Sequence, residues 1–154
     1  FLSHELAVRF VSDNPPAAFV DRMAKEYLKS GGDLRAVVRT MFESKEFWSA
    51  EAYKSKIKSP LEFVASAVRA GEANVTFGFG LAQVVDRLGQ PLYRKAEPTG
   101  YSNKSEEWVN SSGLVARLNF ASALAANRVP GIKVDAAKYK DAGAVWGSPE
   151  FQKR

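Results

Sequence analysis

The chain contains no cysteine and only one histidine, His4, among its 154 residues. The absence of cysteine excludes disulfides, thiolate metal sites and cysteine nucleophiles. A zinc site needs three or four ligands, usually His and Cys, which one histidine cannot supply. Asp-x-Asp-x-Asp loops of the calcium-binding type are also absent. The sequence therefore predicts no metal ligands and no cofactor.

Long apolar runs are also missing, since none approaches the ~20 residues that a membrane-spanning helix needs. No signal peptide is recognisable. The chain opens at Phe1, without an initiator methionine and already inside a helical pattern. This opening predicts that the chain is the C-terminal piece of a longer protein, so a missing targeting segment says nothing about that protein's location.

Motifs that carry catalysis are not assembled in this sequence. There is no Gly-x-Ser-x-Gly elbow, and a Ser-His-Asp set cannot be built with confidence around His4. The Gly78–Gly80 segment lacks the third glycine and the preceding apolar strand of a phosphate-binding loop. Glu106 and Glu107 are paired carboxylates, as in glycosidases, but neighbours on a short helix point in different directions, which favours a solvated turn. We predict no catalytic residue in this chain.

The formal net charge is +5, and the basic residues are interleaved with acids. The densest basic run, 54–58, is short. A nucleic-acid-binding face usually shows denser clustering of Lys and Arg on one element. The charge pattern therefore favours a solvated surface over a nucleic-acid site.

Helical periodicity dominates the sequence. The clearest stripe has apolar residues at i, i+3, i+4, i+7 and i+8, namely Leu34, Val37, Val38, Met41 and Phe42. We predict an all-α fold, an irregular bundle of about six to eight helices in a single domain over 1–154. No β-strand is convincing, and the stretch 73–79 is the only weak candidate.

Local signals set the predicted helix bounds. Gly31-Gly32 ends one helix and Asp33 caps the next, while Ser59, Pro60 and Glu62 form a capping-box start. Two further stripes are predicted, Leu2-Leu6-Phe10 in the first helix and Leu114-Leu118-Ala121-Leu124 in a late one. The predicted helices cover 1–11, 16–30, 34–43, a short stretch near 44–48, 60–70, 81–88, 113–127 after a Ser111 or Ser112 cap, 136–141 after Asp135, and a start at 148–151.

Residues 89–110 have no long period and are predicted to form one long irregular loop, with a helical turn near Ser105. Long loops in small domains are often functional. Its aromatic residues could stack on a sugar or a base beside polar partners, or they could pin the loop to the helices. The candidate ligand-binding residues are Gln90, Tyr93, Arg94, Tyr101, Asn103 and Trp108.

Seven short segments in order resemble one known family over nearly the whole chain. They are RFVSDNPP at 9–16, SGGDLRAV at 30–37, ESKEFW at 43–48, KSPLEFV at 58–64, LGQPLY at 88–93, PTGY at 98–101 and SPEFQ at 148–152. In this order and at about this spacing they resemble the uncharacterised bacterial DUF1800 family. Where the family usually has Gly-Trp after the loop proline, this chain has Gly100-Tyr101, which keeps an aromatic residue.

The resemblance implies a longer, exported parent protein, periplasmic or secreted, of which this chain is the C-terminal part. It also implies two partners: the N-terminal half of the parent chain, and a co-encoded, sulfatase-like exported protein. No activity is known for the family, so it supplies no catalytic residues.

Two functional hypotheses follow from the sequence. The first is a helical interaction or scaffold domain, which is supported by the absence of an assembled catalytic set. The alternative is the substrate-cleft part of an enzyme whose catalytic residues lie in the missing N-terminal half, with the 89–110 loop lining the cleft.

Overall fold

Helices are the main regular secondary structure of the fold, as the periodicity predicts. The computed structural model describes residues 1–135, 137–139 and 141–154, and this part of the chain contains seven α-helices and one two-stranded sheet. The predicted all-α class and the helix number are confirmed. The residues separate into two compact units, each of which has its own core. The prediction of a single domain over 1–154 stays a prediction.

Unit 1 consists of Phe1–Lys56, Asn103–Ser105 and Arg154. It holds helices α1 (Leu2–Phe10), α2 (Ala17–Lys29) and α3 (Leu34–Phe42). Its core is a cluster of fully buried apolar side chains from all three helices and the turn after α1: Ala7, Val11, Phe19, Met23, Val37 and Met41.

The end of α2 and the start of α3 follow the predicted local chemistry. Gly31 and Gly32 adopt φ values of 65° and 94°, which favour glycine because it has no Cβ. The Asp33 carboxylate accepts a hydrogen bond from the Arg35 backbone N–H at 2.8 Å. Both signals are local in the chain, which explains why the sequence located them correctly.

The predicted stripe of α1 is correct only in part, since Leu6 packs against the core of unit 1. Phe10 is exposed, and the buried face instead carries Ser3, Ala7 and Val8. Adjacent helical positions lie about 100° apart, so the core contact is displaced by one residue from the Leu2-Leu6-Phe10 stripe. The small side chains of Ser3 and Ala7 allow α1 to pack closely against α2 and α3.

The short helix predicted near 44–48 is also wrong, because these residues form turns. The Ser44 hydroxyl donates to the Met41 carbonyl at 2.6 Å and accepts from the Phe47 N–H at 3.2 Å. A serine side chain that bonds the neighbouring backbone in this way competes with helical hydrogen bonds.

Unit 2 consists of Ile57–Ser102 and Glu106–Lys153. It holds helices α4 (Pro60–Ala70), α5 (Phe79–Arg87), α6 (Ser111–Ala125) and α7 (Ala142–Gly147), and strands β1 (Asn74–Val75) and β2 (Ile132–Lys133). The strands pair antiparallel, Asn74 with Lys133 and Val75 with Ile132. The core residues come mainly from α4, α6, the β2 region and α7, and include Phe63, Val64, Ala67, Val85, Phe120, Ala121, Leu124, Ile132 and Trp146.

Helix α4 begins with the predicted capping box. The Ser59 hydroxyl accepts from the Glu62 N–H, and Glu62 Oε2 accepts from the Ser59 N–H at 2.8 Å. Pro60 occupies the first helical turn, where its missing N–H costs no intrahelical bond.

The start of α6 requires a correction. Asn110, rather than Ser111 or Ser112, caps the helix, because its Oδ1 accepts from the Gly113 N–H at 2.6 Å. An asparagine caps as well as a serine, so three adjacent candidates could not be separated by sequence.

The end of the chain differs from the prediction. The predicted helix over 136–141 includes positions 136 and 140, which lie outside the described residues, and 137–139 and 141 form turns. The helix start predicted at 148–151 is wrong, since these residues also form turns. The sequence missed α7, whose six residues are too few to show a helical period.

Candidate functional site

The predicted long loop, 89–110, contains no α-helix and one 3₁₀ turn, Ser105–Trp108. Two of its aromatic residues lie together in unit 2. The Tyr101 and Trp108 ring centroids are 6.1 Å apart. The Tyr101 hydroxyl donates to the Pro91 carbonyl at 2.6 Å, and Trp108 Nε1 donates to the Ser102 carbonyl at 3.2 Å. These bonds fold the loop back on itself.

The other candidate residues of the loop are dispersed. The Tyr93 side chain is fully exposed, and Arg94 forms an exposed ion pair with Asp86 at 3.3 Å. The Gln90 side-chain oxygen accepts from the Leu61 N–H at 2.8 Å. Asn103 belongs to unit 1, where its side-chain oxygen accepts from Arg9 at 3.3 Å. The structure thus brings Tyr101 and Trp108 together, and a ligand site formed by all six residues stays a prediction.

A cavity of about 580 Å³ opens beside the first half of α6, and Trp108 lines it. We call it the α6 cavity. Its volume lies within the range of small-molecule sites, about 300–1,000 Å³. The lining residues are Ile57, Trp108, Val109, Asn110, Ser111, Leu114, Arg117, Leu118, Gly147, Pro149, Gln152 and Lys153.

Helix α6 forms one wall of the α6 cavity. Leu114, Arg117 and Leu118 are spaced i, i+3 and i+4, so they share one helical face. Leu114 and Leu118 stay substantially exposed although both are large and apolar. The opposite end of the helix buries Phe120, Ala121 and Leu124.

The C-terminal segment, residues 147–153, forms another wall of the α6 cavity through Gly147, Pro149, Gln152 and Lys153. Ile57 and Lys153 form an isolated antiparallel bridge, and the Lys58 N–H donates to the Gln152 carbonyl at 2.8 Å. These backbone bonds position the Gln152 side chain beside α6.

Arg117 is a buried cation, only 3% exposed. Its guanidinium donates to the Gln152 side-chain oxygen at 3.0 Å and to the Lys58 carbonyl at 2.8 Å, and it lies 5.2 Å from the centre of the Phe63 ring. Both acceptors are neutral. Burial lowers the pKa of Arg117 below its ordinary value, and the negative charge of Glu62 opposes this effect.

Gln152 leaves one buried donor unsatisfied. The residue is 6% exposed, and its Nε2 atom has no hydrogen-bond partner among the described residues. The orientation of the amide follows from chemistry: a guanidinium only donates, so the amide oxygen must face Arg117 and the NH₂ group must point away. A buried donor that lacks a hydrogen-bond acceptor destabilises the folded state.

The charges around the α6 cavity have one sign. Arg117 and Lys153 are cationic, and none of the described lining residues is acidic. The N-terminus of α6, at Asn110 and Ser111, adds the positive end of a 15-residue helix. The cavity is therefore apolar along its walls and electropositive.

The comparison with protein families gives one match, and it covers almost the whole chain. Residues 1–152 match the family model described as "Protein of unknown function (DUF1800)". The chain belongs to the DUF1800 family. The resemblance carried by the seven segments is thereby confirmed. No curated protein and no solved structure shows significant similarity to the chain.

The description of the DUF1800 family names no activity. The candidate functional site is therefore identified from the geometry of this chain alone. Sequence reasoning missed Arg117 and Gln152. One signal was available, because Arg117 occupies the i+3 position of the predicted stripe that begins at Leu114. A charge within an apolar stripe is uncommon and requires a partner.

The remaining sequence candidates are at the surface of this DUF1800 member. His4 is exposed, with Nδ1 3.6 Å from a Glu5 carboxylate oxygen. Glu106 and Glu107 are exposed on the 3₁₀ turn. Within the described ranges, no three His, Cys, Asp or Glu side chains are grouped as metal ligands. No helix in the described part of the chain has the length and hydrophobicity to cross a membrane.

Proposed function

We propose that this chain is a helical interaction domain that binds an amphipathic helix of another polypeptide segment through α3. The observation that carries the proposal is an exposed tryptophan held in a fixed orientation. Trp48 is 74% exposed, yet its Nε1 donates to the Phe42 carbonyl at 2.6 Å. Tryptophan is enriched among the residues that dominate binding energy at protein interfaces.

Two aromatic contacts hold the Trp48 ring against the protein surface. The Phe42 and Phe47 rings meet edge to face at 4.8 Å, and Phe47 meets Trp48 at 5.1 Å. Edge-to-face pairs each contribute about 0.5–1.5 kcal/mol beyond their buried area. A side chain that is ordered before binding loses less conformational entropy on binding, so Trp48 is suited to act as an anchor.

Helix α3 extends this apolar surface. Val37 and Met41 fill the core of unit 1, whereas Leu34 and Phe42 are exposed and Val38 is partly buried. Leu34, Val38 and Phe42 are spaced i, i+4 and i+8 and form a second stripe beside the buried one. We call Leu34, Val38, Phe42 and Trp48 the α3 surface.

The chemistry of the partner follows from the α3 surface and its border. A stripe with four-residue spacing fits the apolar face of a helix. Arg35 and Arg39, both exposed on α3, lie beside the stripe. We therefore propose an amphipathic helix with acidic residues along its border, contributed by a partner protein or by another part of a longer parent chain.

Photo-crosslinking in the producing cells tests the proposal. A photoreactive phenylalanine replaces Trp48, and in a matched control it replaces Tyr53, which is exposed to a similar degree, 73%. We expect a defined adduct from position 48 alone. An adduct of higher mass identifies a separate partner, and an internal crosslink in a longer chain identifies an intramolecular one.

Second-site variants decide whether the α3 surface makes the contact. Leu34→Ser and Arg39→Glu should weaken the adduct, and Leu28→Ser, an exposed leucine of α2 outside the surface, should not. A position-48 adduct that persists unchanged in Leu34→Ser, or no adduct at all, contradicts the proposal.

A second candidate function is the substrate cleft of an enzyme whose catalytic residues lie elsewhere in a longer chain. The position of Trp108 in the lining of the α6 cavity favours it, since an aromatic ring in a pocket can stack on a sugar. A thermal-shift screen with oligosaccharides tests it. The expected result is stabilisation that Trp108→Ala removes, and no stabilisation by any sugar would contradict it.

A further inference from the structure

We infer that the α6 cavity binds an apolar carboxylic acid, with Arg117 and Gln152 as the groups that hold its carboxylate. The inference concerns the cavity of the second candidate function, but it requires no catalysis. It also does not depend on the α3 surface, because every residue it uses belongs to unit 2.

Unsatisfied hydrogen-bond donors give the first argument. A guanidinium has five N–H groups, and the two bonds of Arg117, to Gln152 and Lys58, use two of them. Gln152 Nε2 has no partner among the described residues. Both residues line the same cavity, and a carboxylate accepts several hydrogen bonds without donating any.

The neutral hydrogen-bond acceptors of Arg117 give the second argument. Burying a cation is costly unless a charged partner compensates it. The hydrogen bonds of Arg117 go to two neutral oxygens. The negative charge of Glu62 favours the cation electrostatically, and the Glu62 carboxylate also accepts from the Ser59 N–H at the start of α4. A ligand carboxylate would supply the charge that the neutral acceptors lack. The guanidinium fork matches the two oxygens of a carboxylate.

The apolar walls identify the rest of the ligand. Ile57, Trp108, Val109, Leu114, Leu118 and Pro149 line the α6 cavity. Leu114, Leu118 and Val109 are exposed to solvent, so a ligand with an aliphatic or aromatic body would remove apolar surface from water. The described lining contains no acidic residue that could pair with a cationic ligand. Arg117 and Lys153 would repel such a ligand.

Titration calorimetry with matched probes tests the inference on the whole chain. The acids are decanoate and 4-phenylbutyrate, and the neutral controls are decanamide and 4-phenylbutyramide. We expect each acid to bind at least about tenfold more tightly than its amide, because charge-assisted hydrogen bonds are about twice as strong as neutral ones. Saturation with acid should also shift the NMR signal of the Gln152 side-chain NH₂ group.

Two variants separate the charge from the apolar contacts. Arg117→Met keeps a long apolar side chain and should reduce the affinity for each acid to that for its amide. Leu118→Trp fills the cavity from an exposed position and should weaken acids and amides alike, by about tenfold or more. Leu61→Trp is the matched control, since Leu61 is exposed to a similar degree, 43% against 41%, and does not line the α6 cavity.

These measurements test the inference even if one variant does not fold. If Arg117→Met does not fold by circular dichroism, Leu118→Trp and the acid-to-amide ratio still give a result. Equal affinities for acid and amide would overturn the carboxylate assignment. Binding that Leu118→Trp leaves unchanged, or no binding of either acid at millimolar concentration, would overturn the site itself.

Discussion

The Lys56 ammonium donates a hydrogen bond to the Asp13 carboxylate, which lies 43 residues earlier in the chain. The Lys56 side chain is almost fully buried, and its second bond goes to the Asn103 carbonyl at 2.6 Å. Asp13 also accepts from the Ser105 backbone N–H at 3.1 Å. One ion pair therefore fastens three chain segments of unit 1, which makes it the first target for stability measurements.

A double-mutant cycle with Asp13→Asn and Lys56→Met should show strong coupling. Removing one partner leaves a buried charge uncompensated, whereas removing both does not. We expect a coupling free energy of about 1–3 kcal/mol, the range for residues in direct contact, from chemical denaturation. The control cycle uses the exposed Asp86–Arg94 pair, for which less than about 1 kcal/mol is expected. Equal coupling in both cycles would contradict the buried character of the first pair.

The same ion pair predicts how stability depends on pH. Burial by itself would raise the pKa of Asp13, but the hydrogen bonds from Lys56 and Ser105 outweigh it and lower the pKa below its ordinary value. A carboxyl group with a lowered folded-state pKa stabilises the protein above its unfolded-state pKa, about 3.9. That stabilisation is lost as the pH falls through the folded-state pKa.

Denaturation curves between about pH 6 and pH 2 measure this effect. Other carboxyl groups, such as Glu46, also have a lowered pKa, so the quantity to examine is the difference between the native chain and Asp13→Asn. That difference should be largest near neutral pH and shrink below about pH 4. A difference that does not change with pH would show that the Asp13 charge is not responsible.

Gly71→Ala should destabilise unit 2. A Cβ at position 71 would lie 2.7 Å from the Trp146 ring and 3.0 Å from Val134, and overpacking of a core costs about 1–3 kcal/mol. Gly78→Ala is the matched control, since its φ is also negative and nothing lies within 4 Å of the added methyl group. Thermal unfolding should separate the two variants, and equal melting temperatures would contradict the tight contact at Gly71.

Tyr101→Phe should loosen the 89–110 loop. The substitution removes the hydrogen bond to the Pro91 carbonyl, which contributes about 1 kcal/mol, and hydrogen exchange of the loop amides should accelerate by about fivefold. Tyr93→Phe removes a hydroxyl from a fully exposed ring and should change nothing. If both variants exchange at the native rate, the Tyr101 hydroxyl does not anchor the loop.

Sequence reasoning succeeded where the physics is local. The caps at Asp33 and Ser59 and the glycine end of α2 depend on residues within four positions of each other, so the sequence identified all three. It failed for the burial of α1 and for the segments 44–48 and 148–151. The burial of α1 depends on which side chains meet across the fold, which periodicity does not specify. At 44–48 and 148–151 a serine hydroxyl instead bonds the backbone three residues away, which competes with helix formation.

The predicted stripes show the same limit. Leu34, Val37, Val38, Met41 and Phe42 are all apolar, and the pattern makes them equivalent. The structure buries Val37 and Met41 and leaves Leu34 and Phe42 exposed. Because Leu34 and Phe42 are exposed, we propose that they belong to an interaction surface and not to the core. The sequence of α3 alone does not show which of its apolar residues are exposed.

The sequence by itself determined the helical class and several helix starts, because hydrophobic period and capping act within a few residues. It also determined the membership of the DUF1800 family, because seven short segments occur in the family's order along the chain. Only the tertiary structure decided that Arg117 and Gln152, 35 positions apart, share one buried hydrogen bond beside a cavity. Their meeting depends on the backbone contacts of Ile57 and Lys58 with the C-terminal segment. A contact across such a separation is set by packing and loop closure, and the spacing of residues along the chain does not encode it.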